Sequence, residues 1–249
     1  MERVGGFFRN TMRESGRTCL YCTGPSTTEL CHKCSSHRAQ FGDQLADLVV
    51  PLTYAQGNQP RTQHQSAYTA YAYKNTPPAA TCVEDMQLMV NAATSIHGGC
   101  IAAVDSWWDS ITFVPSTKRD LPPREQPTAG LARLVQWNNG AEHRLVLEKG
   151  ANQDGHPRDV LADRFAVPAE YVDRVAGKHI LVVDDTWTSG AKMQSAALTL
   201  KAAGARRVTA LCVTRWTKWD WPEHEAFLKT LTTPYDPLNC PVHGGLCTP

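Results

Sequence analysis

Two groups of residues in this chain are spaced to do chemistry. The first is Ile180-Leu-Val-Val-Asp184-Asp185-Thr186-Trp187-Thr188-Ser189-Gly190, an apolar run ending in two acids and a hydroxyl-rich turn. Ligands of open α/β sheets sit outside the carboxyl ends of the strands. Two adjacent carboxylates there accept hydrogen bonds from a vicinal diol, or hold a hydrated Mg²⁺. The turn that follows offers hydroxyls and backbone N–H groups at a helix N-terminus, which suits a phosphate dianion. Gly190 lets the backbone approach closely. Diol grip beside phosphate cradle describes a site for a ribose 5-phosphate. Receiver and haloacid-type phosphotransfer sites also use strand-end aspartates, but they do not need the Thr-x-Thr-Ser-Gly turn. The plain alternative is that both acids only cap the helix, where acids are favoured anyway.

The second group is Cys19-Leu-Tyr-Cys22 and, eight residues on, Cys31-His-Lys-Cys34. Each C-x-x-C pair brings two thiolates to one ion, and two pairs close a tetrahedral structural zinc site. The segment has few large apolar residues, so a metal would have to supply its folding energy. A redox C-x-x-C would need only one pair; an iron–sulfur cluster would also accept four cysteines. Five cysteines remain. Cys82, Cys100 and Cys212 stand near apolar positions and read as buried small hydrophobes. Cys240-Pro-Val-His243-Gly-Gly-Leu-Cys247 offers three ligands to a second metal, with His32, His37 or water as the fourth, or is a Pro/Gly-rich tail with incidental thiols.

These residues need a scaffold. His179 to Asp184 predicts a strand buried on both faces, as in a parallel sheet. Ala191 to Ala203 predicts a helix with Met193, Ala196, Ala197 and Leu200 inward and Gly204 as its stop, and Arg207 to Val213 a further strand. That order argues for a βαβ unit in an α/β fold. Upstream, Leu48 to Tyr54 reads as a strand that Pro51 restricts to an edge or bulge. Val83 to His97 reads as a helix stopped by Gly98-Gly99. Ile111 to Pro115 is a short strand, Ala129 to Trp137 a helix, and Leu145 to Leu147 a further strand. Gln153 to Asp163 is polar loop.

The chain has 249 residues, 25 Lys+Arg against 24 Asp+Glu, and nine cysteines. Near-neutral charge does not indicate a nucleic-acid partner and tells against bulk polyanion binding, although nucleic acid stays open as a partner. No run approaches the roughly 18 apolar residues of a spanning helix, and no apolar signal-peptide core is seen. The expectation is a cytoplasmic protein without a membrane partner, in which so many thiols point to metal chemistry.

The Asp184 to Gly190 segment resembles the phosphoribosyl-pyrophosphate (PRPP) motif of type I phosphoribosyltransferases. A four-cysteine ribbon ahead of such a domain is similar to the ComF-type family. The resemblance implies a Rossmann-like fold with a mostly parallel sheet, a zinc ribbon over residues 1–44 and a phosphoribosyltransferase-like domain over 45–249. It implies PRPP as substrate with Mg²⁺, and an acceptor that is not legible. By resemblance, Asp184 and Asp185 bind the ribose hydroxyls and Thr186, Trp187, Thr188, Ser189 and Gly190 hold the 5-phosphate. Ser116, Thr117, Lys118 and Arg119 form the pyrophosphate loop, or an ordinary solvated basic turn. Lys74 matches a family lysine, or is a surface lysine. The ComF-type mobile-loop stretch keeps only Arg124 and Gln126. Trp216, Trp219 and Trp221 offer stacking on a planar base, or close a core edge. His143, His156 and His179 are candidate bases by residue type alone, or solvent-facing histidines. A catalytically silent relative with a regulatory or competence-related binding role is the other reading.

Overall fold

The computed structural model describes residues 2–104, 106–116, 121–136, 144–152 and 155–247. In chain order its regular elements are α1 (Glu2–Phe7), α2 (His32–Phe41), β1 (Leu48–Gly57), α3 (Gln65–Ala72), α4 (Ala80–Ala103), β2 (Ser110–Phe113) and α5 (Pro127–Ala132). Then come β3 (Glu148–Lys149), β4 (Phe165–Ala166), α6 (Val172–Val175), β5 (His179–Trp187), α7 (Ala191–Ala202), β6 (Arg207–Lys218), α8 (Pro222–Lys229), β7 (Asn239–Cys240) and β8 (Gly245–Leu246). Thr117, Lys118, Arg119 and His143 lie outside the described residues.

The core sheet is four parallel strands in the order β1-β6-β5-β2. This is the α/β architecture expected, with β5–α7–β6 as its βαβ unit. The run Ile180 to Val183 is fully buried because it is covered on both faces. Alternate side chains divide between two cores. Leu181, Val183, Val50 and Leu52 face α4 and α5, while Ile180, Val182, Val49 and Ala210 face α7 and the first cysteine segment. Pro51 is on an edge strand, where a missing ladder donor is tolerated. That edge is covered by the N-terminal segment: Tyr54 N–H donates to the Arg9 carbonyl at 3.0 Å, and Asn10 bridges to Thr53. Val4 and Phe8 are buried in the same core as α4, and Cys19, Cys22 and Cys34 pack into the α7 core.

Three expectations are corrected. The helix begun near Val83 does not stop at Gly98-Gly99 but runs to Ala103. Tertiary packing overrides the glycines: Ile101 and Ala102 are buried beyond them, and a Cβ on Gly98 would come within 3.1 Å of the Trp107 ring. The helix expected over Ala129 to Trp137 begins at Pro127, whose fixed φ suits the first turn, and its regular part ends at Ala132. Leu145 to Leu147 is not a strand. Leu145 N–H donates to the Ile111 carbonyl at 2.8 Å, and the chain then leaves the sheet to pair β3 with β4.

Candidate functional site

A cavity of about 500 Å³ opens at the carboxyl end of the sheet. Its walls come from the end of β5, the first turn of α7, the ends of β2 and β6, and the α3–α4 connection. Asp184, Asp185, Thr186, Thr188, Ser189 and Gly190 all line it. The motif thus converges on one concave space. Gly190 is the N-cap of α7 with φ +81°, a conformation glycine adopts at little cost. The first backbone N–H groups of a helix have no intrahelical partner; that of Ala191 makes a long 3.4 Å bond to Ser189 Oγ, and this end of α7 faces the cavity as an anion site would require.

The two carboxylates are buried and differ in environment. Asp185 accepts from the Tyr73 hydroxyl at 2.5 Å and from Lys74 Nζ at 3.1 Å on each oxygen. Burial works to raise the Asp185 carboxyl, but Lys74 and Tyr73 outweigh it and hold it below the usual carboxylate range. Asp184 accepts from the Asp185 backbone N–H at 2.8 Å. Burial first, and the neighbouring Asp185 charge second, push its carboxyl up to about 7. Lys74 is therefore a site residue and not a free surface lysine.

Trp187 is the exception within the motif. Its side chain is buried beneath the loop, edge-on to Tyr21 at 6.5 Å between ring centroids, and it does not line the cavity. The ring explains the glycine a second time, since a Cβ on Gly190 would lie 2.2 Å from Trp187 Cζ2. Strict alternation would put Trp187 on the face of Leu181 and Val183, but the strand changes phase at its end and the ring packs with Ile180 and Val182 in the α7 core.

Ser116 reaches the cavity, and its backbone N–H donates to Gln126 Oε1 at 2.6 Å. Gln126 is buried and donates in turn to the Leu121 carbonyl at 3.1 Å, so one side chain holds both Ser116 and Leu121. Arg124 turns away to donate to the Tyr171 hydroxyl at 2.9 Å. Of the three C-terminal tryptophans, Trp216 lines the cavity, edge-on to Tyr71 at 5.2 Å. Trp219 binds Gln56 Oε1, and Trp221 lies half exposed under Lys218. His179 is neither a base nor solvent-facing. It is fully buried at the opposite end of β5, with ring nitrogens on the Ser106 carbonyl and the Thr209 hydroxyl. His156 is exposed and accepts from the Arg158 N–H.

Sequence reasoning missed Arg158, Lys192 and Lys218, which with Lys74 supply four basic side chains to the described cavity wall. Only Lys192 carried a signal, two residues after Gly190. It also missed Arg215, buried behind the loop. Its guanidinium donates to the Trp187 and Thr188 carbonyls at 3.2 Å each and to the Cys22 carbonyl at 3.1 Å. Gly24 makes room for it, as a Cβ there would lie 2.2 Å from Arg215 Nη2.

Cys19, Cys22, Cys31 and Cys34 come together with their sulfurs within 4.8 Å of one another. Cys22 and Cys31 sulfurs are 3.7 Å apart, close to the edge of about 3.8 Å expected in a tetrahedron with Zn–S near 2.3 Å. Hydrogen bonds among the sulfurs pull the Cys19 thiol down and push the Cys34 thiol up. Four thiolates, three of them on buried cysteines, can share so small a space only around a cation, so the donor set is compatible with zinc. None of the nine cysteines is in a disulfide. Cys82 and Cys212 are buried as expected; Cys100 is only partly buried, packed against the α4-face core beside Cys247. Among the described residues no helix is long and apolar enough to cross a membrane.

No known family's sequence profile matches the chain, and no curated protein matches it. Among solved structures it is similar to a phosphoribosyltransferase from Corynebacterium diphtheriae at 22% identity and a TM-score of 0.30, over 60% of this chain and 92% of that one.

Proposed function

We propose that the cavity binds PRPP and that the protein is a Mg²⁺-dependent phosphoribosyltransferase with an acceptor still to be identified. The observation that carries this reading is the meeting of the Asp184–Asp185 pair and the Thr186 to Gly190 turn in one cavity with four basic side chains. In this reading the carboxylates grip the ribose diol, and Thr186, Thr188, Ser189 and the first turn of α7 hold the 5-phosphate. Ser116 begins the loop that, with Thr117, Lys118 and Arg119, takes the pyrophosphate. Lys74 hands Asp185 over to the diol and turns its charge toward the departing group. As the C1–oxygen bond breaks, charge builds on the leaving oxygens, and Lys74, Lys192, Arg158 and Lys218 are placed to offset it. Mg²⁺ bound with the pyrophosphate would supply further neutralisation, and Asp184 and Asp185 are the carboxylates of the described wall able to meet it. Trp216 offers an edge for a planar acceptor.

Residues 1–44 form the metal-held part and 45–249 the transferase part in this account, in a cytoplasmic protein of ComF-like organisation. The test is pyrophosphate release from PRPP and Mg²⁺ with a panel of bases and amines, together with calorimetry of PRPP binding. Binding in wild type that is lost in Asp184→Asn/Asp185→Asn supports the reading; a wild type without PRPP affinity removes it. One observation favours a catalytically silent relative: both oxygens of Asp185 are already engaged by Tyr73 and Lys74. PRPP binding without pyrophosphate release for any acceptor would select that alternative.

A further inference from the structure

Four potential ligands remain outside the cavity and outside the first cysteine set. His97 and Cys100 lie one turn apart on α4, so their side chains share a face. Cys240 ends β7, and Cys247 immediately follows β8. The folded chain brings one imidazole nitrogen and three sulfurs within 4.8 Å of one another. The Cys100 and Cys247 sulfurs are 3.4 Å apart, and His97 Nδ1 lies 3.1 Å from the Cys247 sulfur. From these residues we infer that His97, Cys100, Cys240 and Cys247 bind a second structural zinc ion.

The ring orientation supports it. His97 Nε2 is 2.8 Å from the Pro237 carbonyl. A carbonyl only accepts, so Nε2 carries the proton and Nδ1 turns its lone pair toward the sulfurs. That is the outer-shell arrangement that fixes a metal-ligating histidine. Three thiolates and one imidazole make a closed tetrahedral donor set, a structural site and not one with an open catalytic position. A Cys100–Cys247 disulfide would leave Cys240 and the oriented His97 without purpose.

The site also accounts for a fragile element. β7 and β8 are two residues each, and Leu246 is 75% exposed, so besides Cys240 and Val242 the hairpin buries little that would hold it down. A metal shared with α4 fastens it. The hairpin in turn holds Arg13, which donates to the Pro241 carbonyl at 3.0 Å and to the Leu20 carbonyl inside the first cysteine pair. Cys240 belongs to the core on the α4 face and Cys19, Cys22 and Cys34 to the core on the α7 face. The two zinc ions therefore pin opposite faces of the sheet.

The test is metal content of the full chain, loaded with zinc under reducing conditions and desalted. Two zinc ions per chain are expected, falling to one in Cys240→Ser/Cys247→Ser and to one in Cys19→Ser/Cys22→Ser. Maleimide labelling of the wild type, mapped by mass spectrometry, keeps the test independent of variant folding. Cys100, Cys240 and Cys247 should label at least tenfold more slowly before chelation than after it. One zinc per chain with these three cysteines freely labelled, or a Cys100–Cys247 disulfide in the loaded protein, overturns the inference.

Discussion

Asp184 carries a cost for the fold that a bound ligand would relieve. Its carboxyl is raised to about 7 by burial and by Asp185, so the folded protein binds its proton more tightly than the unfolded chain does. Stability from this group is present at low pH and falls as pH rises from about 4 towards 7, the interval between the unfolded and folded values. Asp184→Asn removes that penalty. At pH 8 it should keep or raise Tm while weakening PRPP binding more than tenfold, as calorimetry and a thermal melt would show. The same proton predicts that PRPP affinity drops between pH 8 and pH 6, because the neutral acid loses acceptor capacity for the diol. A flat pH profile would remove Asp184 from the diol grip. Gly190 is constrained twice, by φ and by the Trp187 ring, so Gly190→Ala should cost about 1–3 kcal/mol in denaturant unfolding and disturb the phosphate turn.

At the scale of elements, β5 and α7 bring the Asp184 to Gly190 residues to the cavity, and Ser116 reaches it from beyond β2. Gln126 is the side chain that holds both Ser116 and Leu121. Gln126→Ala removes both of these hydrogen bonds. It should cost about 0.5–1.5 kcal/mol and raise the Kd for pyrophosphate more than that for ribose 5-phosphate, which separates Ser116 from the α7 turn. Equal losses for both ligands would argue that Gln126 only supports the fold. The lengths of β1 and β6 matter as well. β6 runs five residues past the expected Val213, to Lys218, and so carries Arg215 behind the loop and Trp216 and Lys218 to the cavity. Apolar patterning does not reach that far, because the extension is held by strand pairing and not by a hydrophobic run.

Across the whole molecule, Arg215 joins the first cysteine set to the Trp187–Thr188 backbone, so a metal held there would be coupled to the loop. Chelation of zinc-loaded protein should then lower Tm and weaken PRPP binding together. Arg215→Met should weaken binding while the Cys19 set still takes up zinc, since the carbonyls of Cys22, Trp187, Thr188 and Trp216 lose their donor. Unchanged PRPP affinity in Arg215→Met, by calorimetry, would show that the two regions only touch. The N-terminal segment covers the β1 edge while the cysteine segment packs on the α7 face, so neither is an appendage to the sheet.

The sequence by itself determined the strand, turn and helix around Asp184, and the first four-cysteine set. Both are local: a buried strand must be apolar, and two C-x-x-C pairs place sulfurs within one short segment. It also located the C-terminal thiols, but only as incidental thiols of the tail or as ligands beside His243 with His32, His37 or water. Tertiary structure alone brought His97 and Cys100 to them, more than a hundred residues away in sequence. It alone showed Lys74 on Asp185, Arg215 behind the turn and Trp187 beneath it. Those contacts arise where separate elements meet across the sheet, and periodicity along one element carries no information about what stands opposite it.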